Sequence, residues 1–144
     1  MRILAFFSAA ALMLAQLGHA APQAVSEDGA NKLDGEWELV RFKYGAASVQ
    51  SLSNARREIK LISGKHFVWV VYDTKKHKPI SVGGGTCSRQ GDQYTEQVEF
   101  GDIRTSTILG RPQLFHITTD GHNWRHSGVL SDGLSIEEIW RRVE

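Results

Sequence analysis

Ile59-Lys60-Leu61-Ile62-Ser63-Gly64-Lys65-His66-Phe67-Val68-Trp69-Val70-Val71-Tyr72 reads as two strands joined by a tight turn. Both arms are rich in β-branched and aromatic residues, which pack well on a pleated surface, and Gly64 supplies the conformational freedom a short turn needs. This hairpin sets the period for the chain on either side. Upstream, Trp37-Glu38-Leu39-Val40-Arg41-Phe42-Lys43-Tyr44 has the same composition and is predicted as a strand. Downstream, 80–88 is predicted as a strand interrupted by Gly83-Gly84-Gly85, a run that marks a bend, a bulge or the close approach of another group.

Further strands are predicted over 94–100, 114–118, 124–130 and 134–143, separated by Arg89-Gln90-Gly91-Asp92, Asp120-Gly121-His122-Asn123 and Ser131-Asp132-Gly133. Such Gly-containing turns between alternating runs are hairpin signals. The stretch 101–110 reads as a loop or short strand. Only 46–57 has room for a helix, and its Ser and Asn content fits a loop equally well. Seven or eight short antiparallel strands with tight turns form a meander. A meander hides its edges completely by closing into an up-and-down barrel, whereas a sandwich would need crossings that the even hairpin spacing does not support. The expected fold class is therefore all-β, an eight-stranded up-and-down antiparallel barrel.

The 144 residues carry 17 Lys and Arg against 16 Asp and Glu, a balance without the clustered positive charge that nucleic-acid binding requires. At the amino end, Arg2, the apolar run 3–17 and the small residues Gly18 and Ala20 have the layout of a signal peptide cleaved after Ala20. A retained membrane span would need about 20 apolar residues, and this run is shorter and contains Ser8 and Gln16, so no stable membrane anchor is expected. The resulting organisation is a signal peptide at 1–20, a flexible leader at 21–32 and a barrel domain at 33–144, in a periplasmic or secreted protein. Cys87 is the only cysteine, so no internal disulfide forms, and it reads as a packing residue with an inert thiol.

Several residues on this framework carry a family resemblance. Gly35-Glu36-Trp37 at the start of the first strand looks like the Gly-x-Trp opening of lipocalins and fatty-acid-binding proteins, the calycin barrels. His66-Phe67-Val68-Trp69, Gly83-Gly84-Gly85-Thr86, Tyr94-Thr95-Glu96, His126-Ser127-Gly128 and Ile136-Glu137-Glu138 with Trp140 are similar to a family of bacterial secreted lipocalin-like domain proteins, over nearly all of 33–144. That resemblance implies fold and export. The family has no settled activity, and Cys87 departs from the Tyr or other strand former expected there. It also implies that Trp37 plugs one barrel end beneath an Arg from the last strand, for which Arg141 and Arg142 are the candidates.

Strand alternation sorts the faces. If Trp37 points inward, so do Leu39, Arg41 and Lys43; Val98 and Phe100 share a face with Glu96 and Tyr94; Trp124 shares one with His126 and Leu130; Ile136 shares one with Glu138 and Trp140. Arg41, Glu96, His126 and Glu138 are thus expected to meet inside the barrel. There they form either an ion-pair network that holds register or a binding or catalytic centre. Trp37 and Trp140 are expected as barrel-end plugs, while Trp69 and Trp124 fit either a pocket wall or a core. His66, His77, His116 and His122 are placed outside.

No His pair has helical metal-ligand spacing and the lone Cys completes no thiolate site, so neither a metal nor an organic cofactor is expected. Gly83-Gly84-Gly85-Thr86 lacks the Lys and helix of a phosphate loop. Ser127 and the adjacent His126 point to opposite faces, which disfavours a hydrolase triad. The leading functional expectation is a barrel that binds a small amphipathic or aromatic ligand through Arg41, Phe67, Trp69, Tyr94 and Trp124. The alternative is a cofactor-independent lyase, isomerase or cyclase using Glu96, His126 and Glu138 for proton transfer, with Arg41 stabilising an oxyanion. A third is a filled barrel whose loops contact another protein.

Overall fold

The computed structural model describes residues 33–144, so the signal-peptide and leader readings lie outside the described residues. The diagnostic hairpin forms as read: strands β2 (Arg56–Ser63) and β3 (His66–Asp73) pair in continuous antiparallel register from Ser63↔His66 to Arg56↔Asp73. Around it lie β1 (Gly35–Tyr44), β4 (Lys78–Gln90), β5 (Gln93–Gly101), β6 (Pro112–Thr119), β7 (Asn123–Val129) and β8 (Ser135–Arg142). Each strand pairs with its neighbour in sequence, and β1 closes on β8, giving a closed eight-stranded up-and-down barrel. The segment 46–57 holds no helix and instead makes an isolated bridge, Phe42↔Gln50. A single 3₁₀ turn, Ile103–Thr105, occupies the 101–110 connection.

The two barrel ends differ. At one, the connections β2–β3, β4–β5 and β6–β7 are tight turns; at the other lie the longer connections β1–β2 and β5–β6. The tight end is closed by an aromatic floor of Trp37, Trp124, Trp140 and Tyr94, each at most 2% exposed. Trp37 meets Trp124 edge-on at 5.7 Å, Trp124 meets Tyr94 edge-on at 5.4 Å, and Trp124 stacks on Trp140 at 6.0 Å. Arg142 is the arginine over Trp37, its guanidinium carbon 4.2 Å from the ring centroid. Its Nη1 and Nε donate to the carbonyls of Asp34 and Gly121, at 2.7 and 2.8 Å. Gly35, at φ 133°, leaves the space this guanidinium crosses, since a Cβ there would overlap Nη1.

Three irregularities bend the wall. The pairing of β1 with β8 slips between Leu39 and Arg41, so one extra residue reverses the alternation beyond it: Leu39 is buried, yet Phe42 and Tyr44 face inward while Arg41 and Lys43 are exposed. The expectation that Arg41 and Lys43 point into the barrel is corrected by this bulge. A second slip, where β4 Gly84 and Gly85 oppose Phe100 and Val98, keeps Val98 inside and leaves Phe100 52% exposed, against its expected inward phase. The third falls between Val71 and Tyr72.

The glycine run has the role its composition suggested. Gly83 lies opposite Trp69, and the indole covers it so closely that any Cβ would overlap the ring. Phe67 stacks beside Trp69 at 5.8 Å with planes 13° apart. The glycines thus let a large indole lie flat along the wall instead of filling the lumen.

Candidate functional site

Above the aromatic floor, β2, β5, β7 and β8 each project a polar side chain into the lumen. Lys60 and Glu96 form an ion pair at 2.7 Å, with side chains only 5% and 6% exposed. The Lys60 ammonium also lies over the rings of Trp140, Trp124 and Phe67, at 5.0, 5.3 and 5.7 Å. Burial disfavours its charge, but the adjacent carboxylates of Glu96 and Glu138 outweigh that and raise its pKa. The ammonium form is thereby favoured despite its burial.

Glu138 is the hub of the second group. It accepts hydrogen bonds from the Tyr44 hydroxyl at 2.6 Å and from Trp140 Nε1 at 3.1 Å, and His126 Nδ1 lies 3.2 Å from its Oε2. Burial would raise its carboxyl, but His126, Lys60 and Tyr44 together hold it down at about 2. Burial and the charge on Glu138 push the Tyr44 phenol far above its usual value, so it remains a donor. The His126 ring stacks on Trp124 at 5.2 Å and meets the edge of Phe115 at 3.8 Å. This clamp does not aim an N–H along the line to Glu138, and both ring nitrogens are buried without a hydrogen-bond partner among the described residues.

Glu58 stands one inward position nearer the open end than Lys60. It meets Glu138, Lys60 and Glu96 only through space, and burial together with the Glu138 charge raises its carboxyl to about 8. Two neighbouring carboxyls are thereby driven in opposite directions. The folded state holds the Glu58 proton more tightly than the unfolded chain, so that contribution is full below the ordinary carboxylate range and is lost as pH climbs through about 8. Glu138 behaves oppositely, its contribution being present above the ordinary range and lost as pH falls toward 2. Thermal melts should therefore show stability falling between pH 5 and pH 8.5, and Glu58→Gln should flatten that fall. An equal fall in the variant would assign it to another group.

Between these groups and the long connections lies a cavity of about 310 Å³, walled by Trp69, Val71, Val98, Phe115 and Ile136, with Ile108, Leu130 and Leu134 toward the mouth. Buried Gln113 ties the mouth together: its amide nitrogen donates to the carbonyl of Arg111 at 2.7 Å and to Ser131 Oγ at 2.9 Å, while its oxygen accepts from the Ser131 N–H at 2.8 Å. Thr107 donates to Asp132 at 2.7 Å across the same two connections. The rim is thus pinned by hydrogen bonds.

The sequence-derived residues separate cleanly. Glu96, His126, Glu138 and Trp69 line the cavity. Phe67, Tyr94 and Trp124 do not line it: Trp124 and Tyr94 are built into the floor, and Phe67 is packed behind Trp69 near the Lys60 ammonium. Arg41 is on the outer surface, so the interior cation is Lys60 instead. Cys87 is buried, and burial raises its thiol. Lys60, Glu58 and Tyr44 were missed. Ile62 carried the signal for the first two, since its inward phase extends by twos to Lys60 and Glu58. The apolar residues Ile59 and Leu61 offered an equally plausible inward face, and Tyr44 was hidden by the bulge. Among the described residues no group of three His, Cys, Asp or Glu is placed to hold a metal ion.

The closed eight-stranded barrel matches solved structures in fold. A lipocalin-like protein from Bacteroides uniformis superposes with a TM-score of 0.58 at 15% identity, covering 78% of this chain and 99% of that one. This chain has the lipocalin-like barrel fold. A protein from Bacteroides eggerthii superposes with a TM-score of 0.54 at 13% identity, over 76% of this chain and 98% of that one. A redesigned β barrel superposes at 0.52 with 15% identity, over 81% and 96%. No protein-family model and no curated protein matches the sequence. In this chain the aromatic floor lies at one end of the barrel and the cavity toward the other. The polar arrangement of Lys60, Glu96, Glu138, His126 and Glu58 is described by this chain's own residues.

Proposed function

We propose that this lipocalin-like barrel binds a small amphipathic or aromatic molecule in its interior, in the exported compartment that Arg2 and the apolar run 3–17 suggest. The observation that carries the reading is a cavity of about 310 Å³, lined by Glu58 and by His126, whose buried ring nitrogens have no hydrogen-bond partner among the described residues. Buried polar groups are ordinarily satisfied, so groups left open at a cavity favour a polar occupant. The volume is near the lower end of ligand pockets, which run from about 300 to 1,000 Å³, and suits a molecule of one or two rings.

A second reading, proton transfer on the bound molecule, is favoured by the opposed carboxyls: Glu58 raised to about 8 is a protonated acid beside ionised Glu138. It does without Arg41, which is exposed and unable to stabilise an oxyanion in the cavity.

Native mass spectrometry of protein purified from its own source tests the binding reading, with retained mass above the apo value as the expected result. Val71→Phe, which places a ring into the cavity wall, should remove that mass while the barrel stays folded. An apo mass for both proteins, with no small molecule changing the melting temperature of either, would overturn it.

A further inference from the structure

Carboxylates outnumber cations in the cavity. Glu58 on β2, Glu96 on β5 and Glu138 on β8 all line it, against a single interior ammonium, Lys60, which Glu96 already engages at 2.7 Å. The other basic lining residue, Arg104, is at the mouth, with its side chain 61% exposed; it pairs with Asp102 and donates to the Ile80 carbonyl. From β1 the only ionisable group facing Glu58 and Glu138 is the Tyr44 phenol, and from β7 it is His126. Trp69 and Val71 on β3, and Ser81 on β4, bring no charge.

An independent feature points to a ligand at the same spot. His126 is 1% exposed, lines the cavity and has no hydrogen-bond partner on either nitrogen among the described residues. A neutral imidazole always presents one acceptor nitrogen. The Glu138 carboxylate and the Glu58 carboxyl are therefore an acceptor and a latent acceptor on one cavity, joined by the imidazole in its uncharged form, and among the described residues no group of three is placed to hold a bare metal ion. A donor delivered on an organic ligand meets that chemistry.

Building on the binding reading above, we propose that the cavity selects small molecules bearing a protonated primary amine, with Glu58 and Glu138 as counter-charges and Trp69 and Phe115 against the apolar body. An ammonium has three donors and no acceptor, so it complements carboxylates and an imidazole acceptor. A carboxylate ligand would face three like-charged or potentially charged side chains, with the nearest cation already paired. On entry the amine replaces the Glu58 proton: the carboxyl O–H bond breaks, the proton leaves to solvent, and the ligand's positive charge takes its place beside the carboxylate.

The test uses three probes of one ring system: tryptamine, indole and indole-3-acetic acid, titrated calorimetrically into the purified protein. At pH 7 tryptamine should bind about tenfold or more tightly than indole-3-acetic acid, the scale of one charge-assisted hydrogen bond. Titrations in buffers of different ionisation enthalpy should show net proton release with tryptamine and none with indole. Glu58→Gln, which keeps the shape of the protonated carboxyl, should weaken tryptamine by about tenfold, abolish the proton release and leave indole unchanged. Retained indole binding then also reports an intact cavity. Indole-3-acetic acid binding as tightly as tryptamine, or tryptamine binding equally to Glu58→Gln, would overturn the amine proposal and leave the ligand-binding reading standing. Uptake of none of the three would count against both.

Discussion

Trp37→Ala is expected to destabilise the barrel by about 3–5 kcal/mol, the usual range for removing a large buried aromatic ring. Trp37 is fully buried, and its indole N–H donates to the Leu33 carbonyl at 2.7 Å, which ties the segment before β1 to the floor. Its ring also carries Arg142, so the truncation leaves that guanidinium over a void and removes the edge-on contact to Trp124. The midpoint of thermal unfolding should drop by roughly 10–20 °C. Urea titration should show the same loss with an unchanged slope, because the barrel still unfolds as one unit. An unchanged midpoint would mean that Trp37 is not the plug of the closed end.

Lys60→Met should destabilise by a similar amount, about 3–5 kcal/mol, the range for leaving one partner of a buried ion pair uncompensated. Methionine keeps most of the length and apolar bulk of the lysine stem, so the loss isolates charge more than volume. It strands Glu96, previously paired at 2.7 Å, near Glu138, with no interior ammonium to balance either. The loss should be larger at pH 8 than at pH 5, since protonating a carboxyl relieves the excess charge. Glu96→Gln should be milder, because Glu58 is already close enough to Lys60 to feel its charge and can ionise in compensation. If Lys60→Met melts like the parent at both pH values, the ion pair contributes nothing net. The polar layer is then not held together by its charges.

The strand order and the closed barrel were legible in the chain itself. Ile59 to Tyr72, the Gly-containing turns and the even spacing of alternating runs each specify local geometry, and local geometry repeated in series leaves an antiparallel meander little choice but to close. The inward phase of Glu96, His126, Glu138, Trp124 and Trp140 was equally readable, because β7 and β8 run without a slip and the one in β5 falls beyond Glu96. Outside placement of His66, His77, His116 and His122 followed from the same alternation and from turn positions.

Which cation enters the lumen was decided only by tertiary structure. Alternation is a property of one strand, whereas a bulge arises where two strands of a twisted, closing sheet must take up a mismatch in length. The slip between Leu39 and Arg41 exists because β1 pairs with β8, its most distant partner in sequence. That slip turns Arg41 outward and brings Tyr44 onto Glu138. Likewise Ile59, Leu61 and Ile62 allow either face of β2 to be buried. Only the match of Lys60 to Glu96 across the lumen, beneath Glu58 and above the indole rings, selects the face that carries the charge.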